Sequence, residues 1–289
     1  MSSVMRVDGG LGAGPLTVRF WGVRGSISAA GARFEEFGGN TPCVEVHCGE
    51  RLFVVDAGSG ICALGGKLAE SGPKEIDVVL SHLHLDHVGG LPFFKPALMP
   101  DRQIRLYCGN LRGESAEEAF LRLFSPPLFP VSLAQLPGNV QQIGFKAGDD
   151  LVFPDGARCR TTPLNHPGGA TGYRFDHGGH AICYISDIEH TDPWPPEELS
   201  EFVRGSDLII YDGMFSETEY IRCQGWGHST WQKGVALAKA AGVPHLAVFH
   251  LHPQHDDAYL HKVEAEIKEA MPGAFLAREG SELSFPSTS

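Results

Sequence analysis

The sequence predicts an α/β fold built in two successive halves, because short apolar runs typical of strands alternate with longer segments typical of helices. Strand-like runs open the chain and lead to helix-like segments, and the same order begins again after about residue 140. Strands grouped in two sets with helices outside them would form layers in the order α/β/β/α. Periodicity alone establishes only the mixture of strands and helices.

The first half is predicted from apolar runs that turn-forming residues separate. Asp56–Gly60 is rich in such residues, and it divides a strand from the helix that follows. The run Glu114–Leu121 has the composition of a second helix. The predicted elements are strands at 17–24, 42–48 and 51–56, a helix at 61–70, a strand at 76–80 and a helix at 114–124.

The second half is predicted to contain a hairpin and a capped helix. Asp176–Gly179 is a turn-forming stretch of the kind that joins two hairpin strands. Ser229 is placed as the N-cap of a helix, and Gly242 is placed to end it. The predicted elements are a hairpin of 172–175 and 180–185, a strand at 207–211, a helix at 229–241, a strand at 245–249 and a helix at 256–270.

Length and composition favour one domain. The 289 residues suffice for one large domain or two small ones, and no linker or change of composition divides them. We therefore expect a single domain over 15–289, preceded by a disordered Gly-rich tail over 1–14. No apolar run approaches the ~20 residues that a membrane span needs, and we expect no signal peptide.

Cysteine usage and charge restrict the compartment and the binding partners. The seven cysteines are odd in number and scattered, which favours free thiols in a reducing cytoplasm. The net charge of −12 argues against tight binding of long nucleic acid, which depends on Lys and Arg that neutralise phosphates. A small anionic substrate is still compatible with this charge, because divalent cations would dominate their local field.

A candidate metal site lies directly after an apolar strand. Residues 82–87 read His-Leu-His-Leu-Asp-His, so four candidate ligands fall within six residues. His82 and His84 point the same way in an extended segment, whereas Asp86 and His87 follow in the turn. This arrangement suits a pair of borderline divalent metals. A polar loop with chance histidines is the alternative, but buried His and Asp need partners.

The motif His-x-His-x-Asp-His after an apolar strand resembles the metallo-β-lactamase superfamily. That family also has a His in the middle of the chain, an Asp that ends a later strand and a His near the C-terminus. His166, Asp187 and His250 follow in this order, each at the exit of a strand-like run. The resemblance spans residue 17 to about 285, and it implies the four-layer αββα sandwich of the metallo-β-lactamase fold.

The resemblance also implies a dinuclear metal centre. Its ligands would be His82, His84 and His166 for one metal, Asp86, His87 and His250 for the other, and Asp187 as the bridge. Zinc is the default for a His/Asp site, and manganese or iron also suit it. Such a pair lowers the pKa of a bridging water, so that hydroxide exists near neutral pH. Asp56 is expected either to orient this layer of ligands or to cap the turn that follows it.

The C-terminal ligand has a competitor. His252 lies two residues beyond His250 on the same strand face. His250 is preferred, because related families place a proline three residues after the ligand and Pro253 stands at that position.

A second motif indicates the branch of the superfamily. Gly227-His228-Ser229-Thr230 looks like a segment of the tRNA 3′-processing endonucleases and the small cyclic phosphodiesterases. The resemblance makes His228 a general acid or a phosphate ligand, and so a catalytic residue together with Asp86. A structural position before the helix is the alternative for His228. Asp212 ends a strand where that branch more often has Glu, and it would fix the tautomer of a neighbouring His.

Three further residues are candidate substrate contacts. The stretches 20–26 and 38–43 resemble a group of small bacterial metallo-hydrolases related to cyclic-nucleotide phosphodiesterases. Arg24 is a candidate phosphate contact, with a structural salt bridge as the alternative. Phe215 and Trp226 would stack on a base or another ring, or they belong to the core and the rim.

The expected function is that of a dinuclear metal-dependent phosphodiesterase acting on a small diester such as a cyclic nucleotide by metal-bound hydroxide. Residues 167–227 leave no obvious room for the basic arm of the tRNA enzymes, which disfavours tRNA as the substrate. A hydrolase of lactones, thioesters or β-lactams is the first alternative, and a non-catalytic sensor on the same fold is the second. Relatives often dimerise, and the resemblance carries the expectation of a homodimer over to this chain.

Overall fold

The computed structural model describes residues 14–287, which form fourteen strands and seven α-helices joined by short 3₁₀ turns. The strands are β1 Leu16–Gly22, β2 Cys43–Cys48, β3 Arg51–Val55, β4 Glu75–Leu80, β5 Gln103–Cys108, β6 Asn139–Gly144, β7 Leu151–Val152, β8 Arg158–Leu164, β9 Ala170–His177, β10 His180–Ile185, β11 Leu208–Asp212, β12 His245–Phe249, β13 Ala274–Leu276 and β14 Glu282–Phe285. The helices are α1 Ile61–Ser71, α2 Leu85–Val88, α3 Ala116–Leu123, α4 Glu197–Val203, α5 Glu217–Cys223, α6 Trp231–Ala241 and α7 Asp257–Ala270.

The strands form two mixed sheets of seven strands each, with a closely similar plan. The first sheet has the order β14-β1-β2-β3-β4-β5-β6, and the second has the order β13-β12-β11-β10-β9-β8-β7. Within each sheet antiparallel pairs occupy one side and parallel pairs the other, the parallel ones being β3 to β6 and β10 to β13. The repeat of architecture that the sequence predicted is therefore present, and β14 closes the first sheet by returning to β1.

The core lies between the two sheets. Aromatic rings meet there across the layers: Phe53 of β3 lies 5.2 Å from Phe175 of β9, and Phe20 of β1 lies 6.0 Å from Phe249 of β12. A second apolar cluster joins α1 and α3 to the outer face of the first sheet. Helices α6 and α7 cover the outer face of the second sheet. The layers are thus α/β/β/α, and the predicted sandwich is confirmed.

Most predicted elements are present, with ends that differ by a few residues. Gly242 ends α6 with a left-handed φ of 71°, as the sequence predicted. The predicted N-cap of α6 is wrong: the helix begins at Trp231 with Thr230 in the cap position. The hydroxyl of Ser229 instead pairs with Tyr211 and His190, both at 2.9 Å, because this buried serine faces the sheet rather than the end of the helix.

Three expectations concern the limits of the fold. The tail expected over 1–14 lies outside the described residues, apart from Gly14. Among residues 14–287, no helix is long and apolar enough to cross a membrane. All seven cysteines, from Cys43 to Cys223, carry free thiols.

Candidate metal centre

Six strand ends converge on one edge of the sandwich and carry the polar side chains of the site. The segment 82–87 follows β4, and the residues His166, Asp187 and His250 follow β8, β10 and β12. Asp56 follows β3, and Asp212 is the last residue of β11. The parallel strands of both sheets end at this edge, so ligands that are distant in sequence become neighbours.

Three of these strand-end residues have a strained backbone. Asp56, Asp187 and His250 have φ values of 60°, 60° and 58°, a left-handed conformation that non-glycine residues rarely adopt. Each such residue costs about 1–3 kcal/mol and persists only where its surroundings hold it. This left-handed conformation occurs just after each strand, at the point where the chain leaves the sheet and the side chain joins the site.

Neutral histidines form the first ligand set. One ring nitrogen each from His82, His84 and His166 lies within 4.8 Å of the others, and the closest pair, His84 Nδ1 and His166 Nε2, is 3.1 Å apart. Burial lowers the pKa of all three imidazoles, that of His82 well below its usual value. Neutral imidazole is the form that binds a metal.

One carboxylate, that of Asp86, and two histidines, His87 and His250, form the second set. The Nε2 atoms of His87 and His250 are 3.3 Å apart, and Asp86 Oδ2 lies 3.3 Å from each of them. Burial would lower the pKa of His87, but Asp187, Asp86 and Asp56 raise it well above its usual value. The pKa of His250 rises to about 9, because the same kind of carboxylate field outweighs its burial.

Asp187 lies between the two sets. Its Oδ1 is 3.4 Å from His250, 3.9 Å from His82 and 4.0 Å from His166, and its Oδ2 is 3.3 Å from His87. Burial would raise the pKa of this carboxyl group, but His250, His87 and His82 hold it well below its usual range. Asp187 is therefore placed to bridge two cations.

The residues fit divalent metals on two grounds. The Nε2 atom of His82 is buried and has no hydrogen-bond partner among residues 14–287, and an orphaned polar atom of this kind is costly unless something binds it. The carboxylates of Asp187 and Asp86 also demand positive charge, since they raise the pKa of His87 and His250. A site of imidazole nitrogens and carboxylate oxygens suits a pair of borderline cations.

Asp56 orients His87, as the sequence predicted in one of two alternatives. The Asp56 carboxylate accepts hydrogen bonds from His87 Nδ1 at 2.8 Å, from the backbone and hydroxyl of Ser81 at 2.7 and 2.8 Å, and from the hydroxyl of Tyr184 at 2.7 Å. These bonds leave His87 Nε2 facing the centre. The geometry favours this orienting role over a cap for the turn at 57–60.

Replacing Asp56 with asparagine is expected to weaken metal binding by about 10- to 100-fold, the usual effect of removing a carboxylate that orients a ligand histidine. Competition with a chromophoric chelator measures the dissociation constant. Tyr184→Phe is the matched control, because it removes one donor to the same carboxylate and leaves His87 paired. Unchanged metal affinity in Asp56→Asn would mean that Asp56 does not orient His87 and only stabilises the neighbouring chain through Ser81 and Tyr184.

Gly25 allows the His250 ring to take its place. A Cβ added at Gly25 would lie 2.3 Å from His250 Nδ1 and Cε1. We therefore expect Gly25→Ala to displace His250 and to lower the bound metal per chain, measured by elemental analysis after desalting. Gly66→Ala is the control, since a Cβ there has no neighbour within 4 Å. Full metal content in Gly25→Ala would contradict this packing.

His228 and Asp212 form a pair beside the ligands. His228 Nδ1 lies 2.8 Å from Asp212 Oδ2 and 3.8 Å from Asp187 Oδ1. The His228 ring stacks on that of His250, with centroids 4.8 Å apart. Asp212 also accepts the backbone N–H of Met214, which fixes the carboxylate. The pair is thus rigid, and His228 Nε2 has no hydrogen-bond partner within residues 14–287.

The competing C-terminal histidine is outside the cluster. His252 Nδ1 accepts the backbone N–H of Gln254, and its ring lies 4.8 Å from that of His255. No candidate ligand group in the described chain includes His252, whereas two of them include His250. The geometry therefore favours His250 as the ligand.

Two of the predicted substrate contacts are buried. Arg24 is fully buried, and its guanidinium donates to the backbone carbonyls of Gly38, His252 and His255. Phe215 is 2% exposed and packs against His228, with ring centroids 5.9 Å apart. A phosphate contact by Arg24 and stacking by Phe215 are therefore contradicted, because both side chains brace loops behind the site.

Trp226 differs from these two residues. It is 63% exposed and lies 6.4 Å from Phe215 between ring centroids. Its exposed face makes it the aromatic residue that stays a prediction for substrate stacking.

Glu189 is a positioning residue that the sequence did not reveal. Its carboxylate accepts the backbone N–H groups of Gly225 at 2.6 Å and Gly227 at 2.9 Å, and the hydroxyl of Tyr220 at 3.1 Å. It thus ties the loop that carries His228 to the segment that carries Asp187. Its place two residues after Asp187 was the only sequence signal.

The sandwich and its strand-end cluster define the class of protein. The family described as the Beta-lactamase superfamily domain matches residues 51–251. The chain belongs to this family and is a metal-dependent hydrolase of the metallo-β-lactamase fold.

Relatives and solved structures agree with this assignment. A protein named Ribonuclease Z from Agathobacter rectalis is 30% identical over 273 residues, covering 78% of this chain and 86% of the relative. The metallo-beta-lactamase fold protein YhfI from Bacillus subtilis has a TM-score of 0.71 at 21% identity, covering 93% of this chain and 99% of that one. A diphosphatase from the PhnP family has a TM-score of 0.69 at 20% identity, covering 93% and 98%. These two structures share the fold with this chain.

Proposed function

We propose that this protein is a dinuclear metal-dependent phosphodiesterase that cleaves a small phosphodiester. The observation that carries this proposal is the His228–Asp212 pair, 2.8 Å apart, standing beside the bridging carboxylate of Asp187. A diester releases an alkoxide, which needs a proton from a group that titrates near neutral pH.

The metal ligands would hold two zinc ions, the default for imidazole and carboxylate donors. The ligand sets are His82, His84 and His166, and Asp86, His87 and His250, with Asp187 between them. Bound there, the ions would supply Lewis acidity and a nucleophilic water of lowered pKa. The strained strand ends, with Asp56 hydrogen-bonded to His87, would hold these side chains in place before substrate arrives.

His228 would act as the general acid. Its Nδ1–H donates to Asp212, which fixes the ring and leaves Nε2 without a partner among residues 14–287. Nε2 would then deliver a proton to the leaving oxygen. Glu189 would keep the His228 loop at the correct distance through its bonds to Gly225 and Gly227.

The proposal gains support from the relatives. Proteins at 24–30% identity are named Ribonuclease Z, and a structural neighbour is described as a diphosphatase. Both names denote hydrolysis at phosphorus. Lactones and β-lactams also release groups that need a proton, so the preference for a diester over them rests on the names of these relatives.

A second candidate is cleavage of RNA, which the relatives named Ribonuclease Z favour. The net charge of −12 opposes it, because binding to long nucleic acid depends on clustered Lys and Arg. A small diester is therefore preferred.

A substrate panel tests the proposal. The metal-reloaded protein is assayed with bis(p-nitrophenyl) phosphate, p-nitrophenyl acetate, a chromogenic lactam, a lactone and a precursor tRNA with a 3′ trailer. Turnover of the diester above the carboxyl substrates is the expected result. Turnover of the ester or lactone with an inert diester would overturn the proposal, and preferred cleavage of the tRNA would establish the second candidate.

A further inference from the structure

A cavity opens directly beside the first ligand set and is not used by the chemistry described so far. It has a volume of about 190 Å³, and His82 and His84 line one end of it. The rest of its lining is Leu83, residues 109–112, Glu114, Ala119, Arg122 and the turn 167–169. His84 is exposed, so the cavity is continuous with the open side of the metal centre.

The cavity leads outward into a wider groove. The groove has a volume of about 790 Å³ and shares Asn110, Leu111, Arg112 and Glu114 with the inner cavity. Lys146 also lines this groove. A ligand bound at the metals can therefore extend through the inner cavity into the groove, along the segment 110–114.

Arg112 is the cation of the inner cavity that has no charged partner in the described chain. It is exposed, and it makes no ion pair or side-chain hydrogen bond with the part of the chain that the structure describes. Its Nη2 lies 3.7 Å from the position that a Cβ would take on Gly168. The guanidinium thus lies against the turn that directly follows His166.

The other charged groups of the inner cavity largely offset each other. Arg122 forms an ion pair with Glu114, so the positive charge of Arg112 is left without compensation. In a chain with a net charge of −12, an uncompensated arginine beside a metal site attracts anions. A guanidinium also matches phosphate in shape, because its N–H groups donate in pairs.

The backbone around Arg112 is strained and held in place. Asn110 and Arg112 have positive φ values of 58° and 50°, which non-glycine residues adopt at a cost. Asn110 Nδ2 donates to Thr171 Oγ1 at 2.9 Å, which ties this segment to β9. The backbone that carries Arg112 is therefore held in place by the hydrogen bond of Asn110 to β9.

We propose that Arg112 binds a second phosphate group on the substrate, so that the natural substrate is a small phosphodiester with an additional terminal phosphate. This inference rests on the proposed function, because it places the scissile phosphate at the metals. The cavity between His84 and Arg112 receives the part of the molecule that joins the two phosphates.

Paired probes that differ by one phosphate test this subsite. The binding of thymidine 3′,5′-bisphosphate and of thymidine 5′-monophosphate to the metal-loaded protein is measured by calorimetry. Hydrolysis of the p-nitrophenyl ester of thymidine 5′-phosphate is measured with and without a 3′-phosphate. The second phosphate is expected to improve binding and kcat/KM about tenfold or more, the scale of a charge-assisted hydrogen bond.

The variants assign this gain to Arg112. Arg112→Ala is expected to reduce the ratio between the paired probes to about 1, and Arg112→Glu is expected to invert it. Arg158→Ala is the control, because Arg158 is also exposed and lies at the opposite end of β8 from His166. A wild-type ratio near 1, or a ratio unchanged in Arg112→Ala, overturns the proposal.

The two proposals fail in different ways. If neither ester is hydrolysed, the proposed function is wrong, and the calorimetric ratio still decides whether the phosphate subsite exists. If both esters are hydrolysed at equal rates and the two nucleotides bind equally, the phosphodiesterase stands and the subsite is wrong.

Discussion

Asp187→Ala is expected to bind less metal and to lose diester turnover on the order of 10⁴-fold, the scale of loss when one member of a catalytic unit is removed. The carboxylate of Asp187 lies within 4.0 Å of five imidazoles, those of His82, His87, His166, His228 and His250. No neighbouring side chain takes the same central position. Its removal leaves both ligand sets without their shared oxygen donor.

Asp207→Ala is the matched control for this variant. Asp207 also pairs with a histidine, His180 Nδ1 at 3.0 Å, but the pair lies outside the cluster. Elemental analysis and turnover are measured on both variants in parallel. Two metals per chain in Asp187→Ala, or equal losses in the two variants, would contradict the bridging position.

His228→Ala is expected to lower kcat by about 10²- to 10⁴-fold, the usual contribution of a general acid. The loss should grow as the pKa of the leaving alcohol rises, because p-nitrophenolate departs without a proton and an alkoxide does not. His228 also belongs to a candidate ligand group with Asp187, Asp212 and His250. Metal content is therefore measured in the same variant, and an unchanged value is the result expected for a general acid. A series of aryl and alkyl diesters measures this dependence.

His261→Ala is the control for His228→Ala. His261 lies on α7 and pairs with Glu36. Asp212→Asn should follow His228→Ala with a smaller loss, because the amide oxygen of Asn can still accept the hydrogen bond from His228 Nδ1 and only the negative charge beside the ring is removed. A loss that is the same for good and poor leaving groups would make His228 a structural residue before α6.

The ligand cluster was accessible from the sequence, because its residues follow apolar strands in a fixed order. His82 to His87 form a local motif, and His166, Asp187 and His250 each stand directly after a run that is readable as a buried strand. The resemblance to the metallo-β-lactamase superfamily selected these residues, and strands that end at one edge bring them together. Periodicity predicted only mixed strands and helices, and the resemblance predicted the sandwich.

The direction of isolated side chains was not accessible in this way. Arg24 lies in a loop, and only the folded chain shows that the carbonyls of Gly38, His252 and His255 surround it. Phe215 is 2% exposed although it lies beyond the end of β11, whereas Trp226, which lies after α5, is 63% exposed. Sequence periodicity does not distinguish these two aromatic residues, since neither lies in a regular element.

The contacts that hold the site together were also hidden. Glu189 acts through backbone N–H groups of Gly225 and Gly227, and backbone donors carry no sequence signal. Gly25 matters because the His250 ring passes close to its Cα, and that proximity arises between residues far apart in the chain. Local motifs therefore identify the candidate ligands, whereas contacts between distant residues, which the sequence does not reveal, fix the positions of those ligands.

Stepwise metal reloading of the metal-free protein tests the dinuclear centre most directly. Zn²⁺ is added in increments, and bound metal and bis(p-nitrophenyl) phosphate turnover are measured at each step. The strand-end cluster predicts that binding saturates at about two ions per chain and that turnover appears with metal and disappears on chelation. Saturation at one ion, or diester turnover that persists in the chelated protein, would contradict a dinuclear metal-dependent phosphodiesterase.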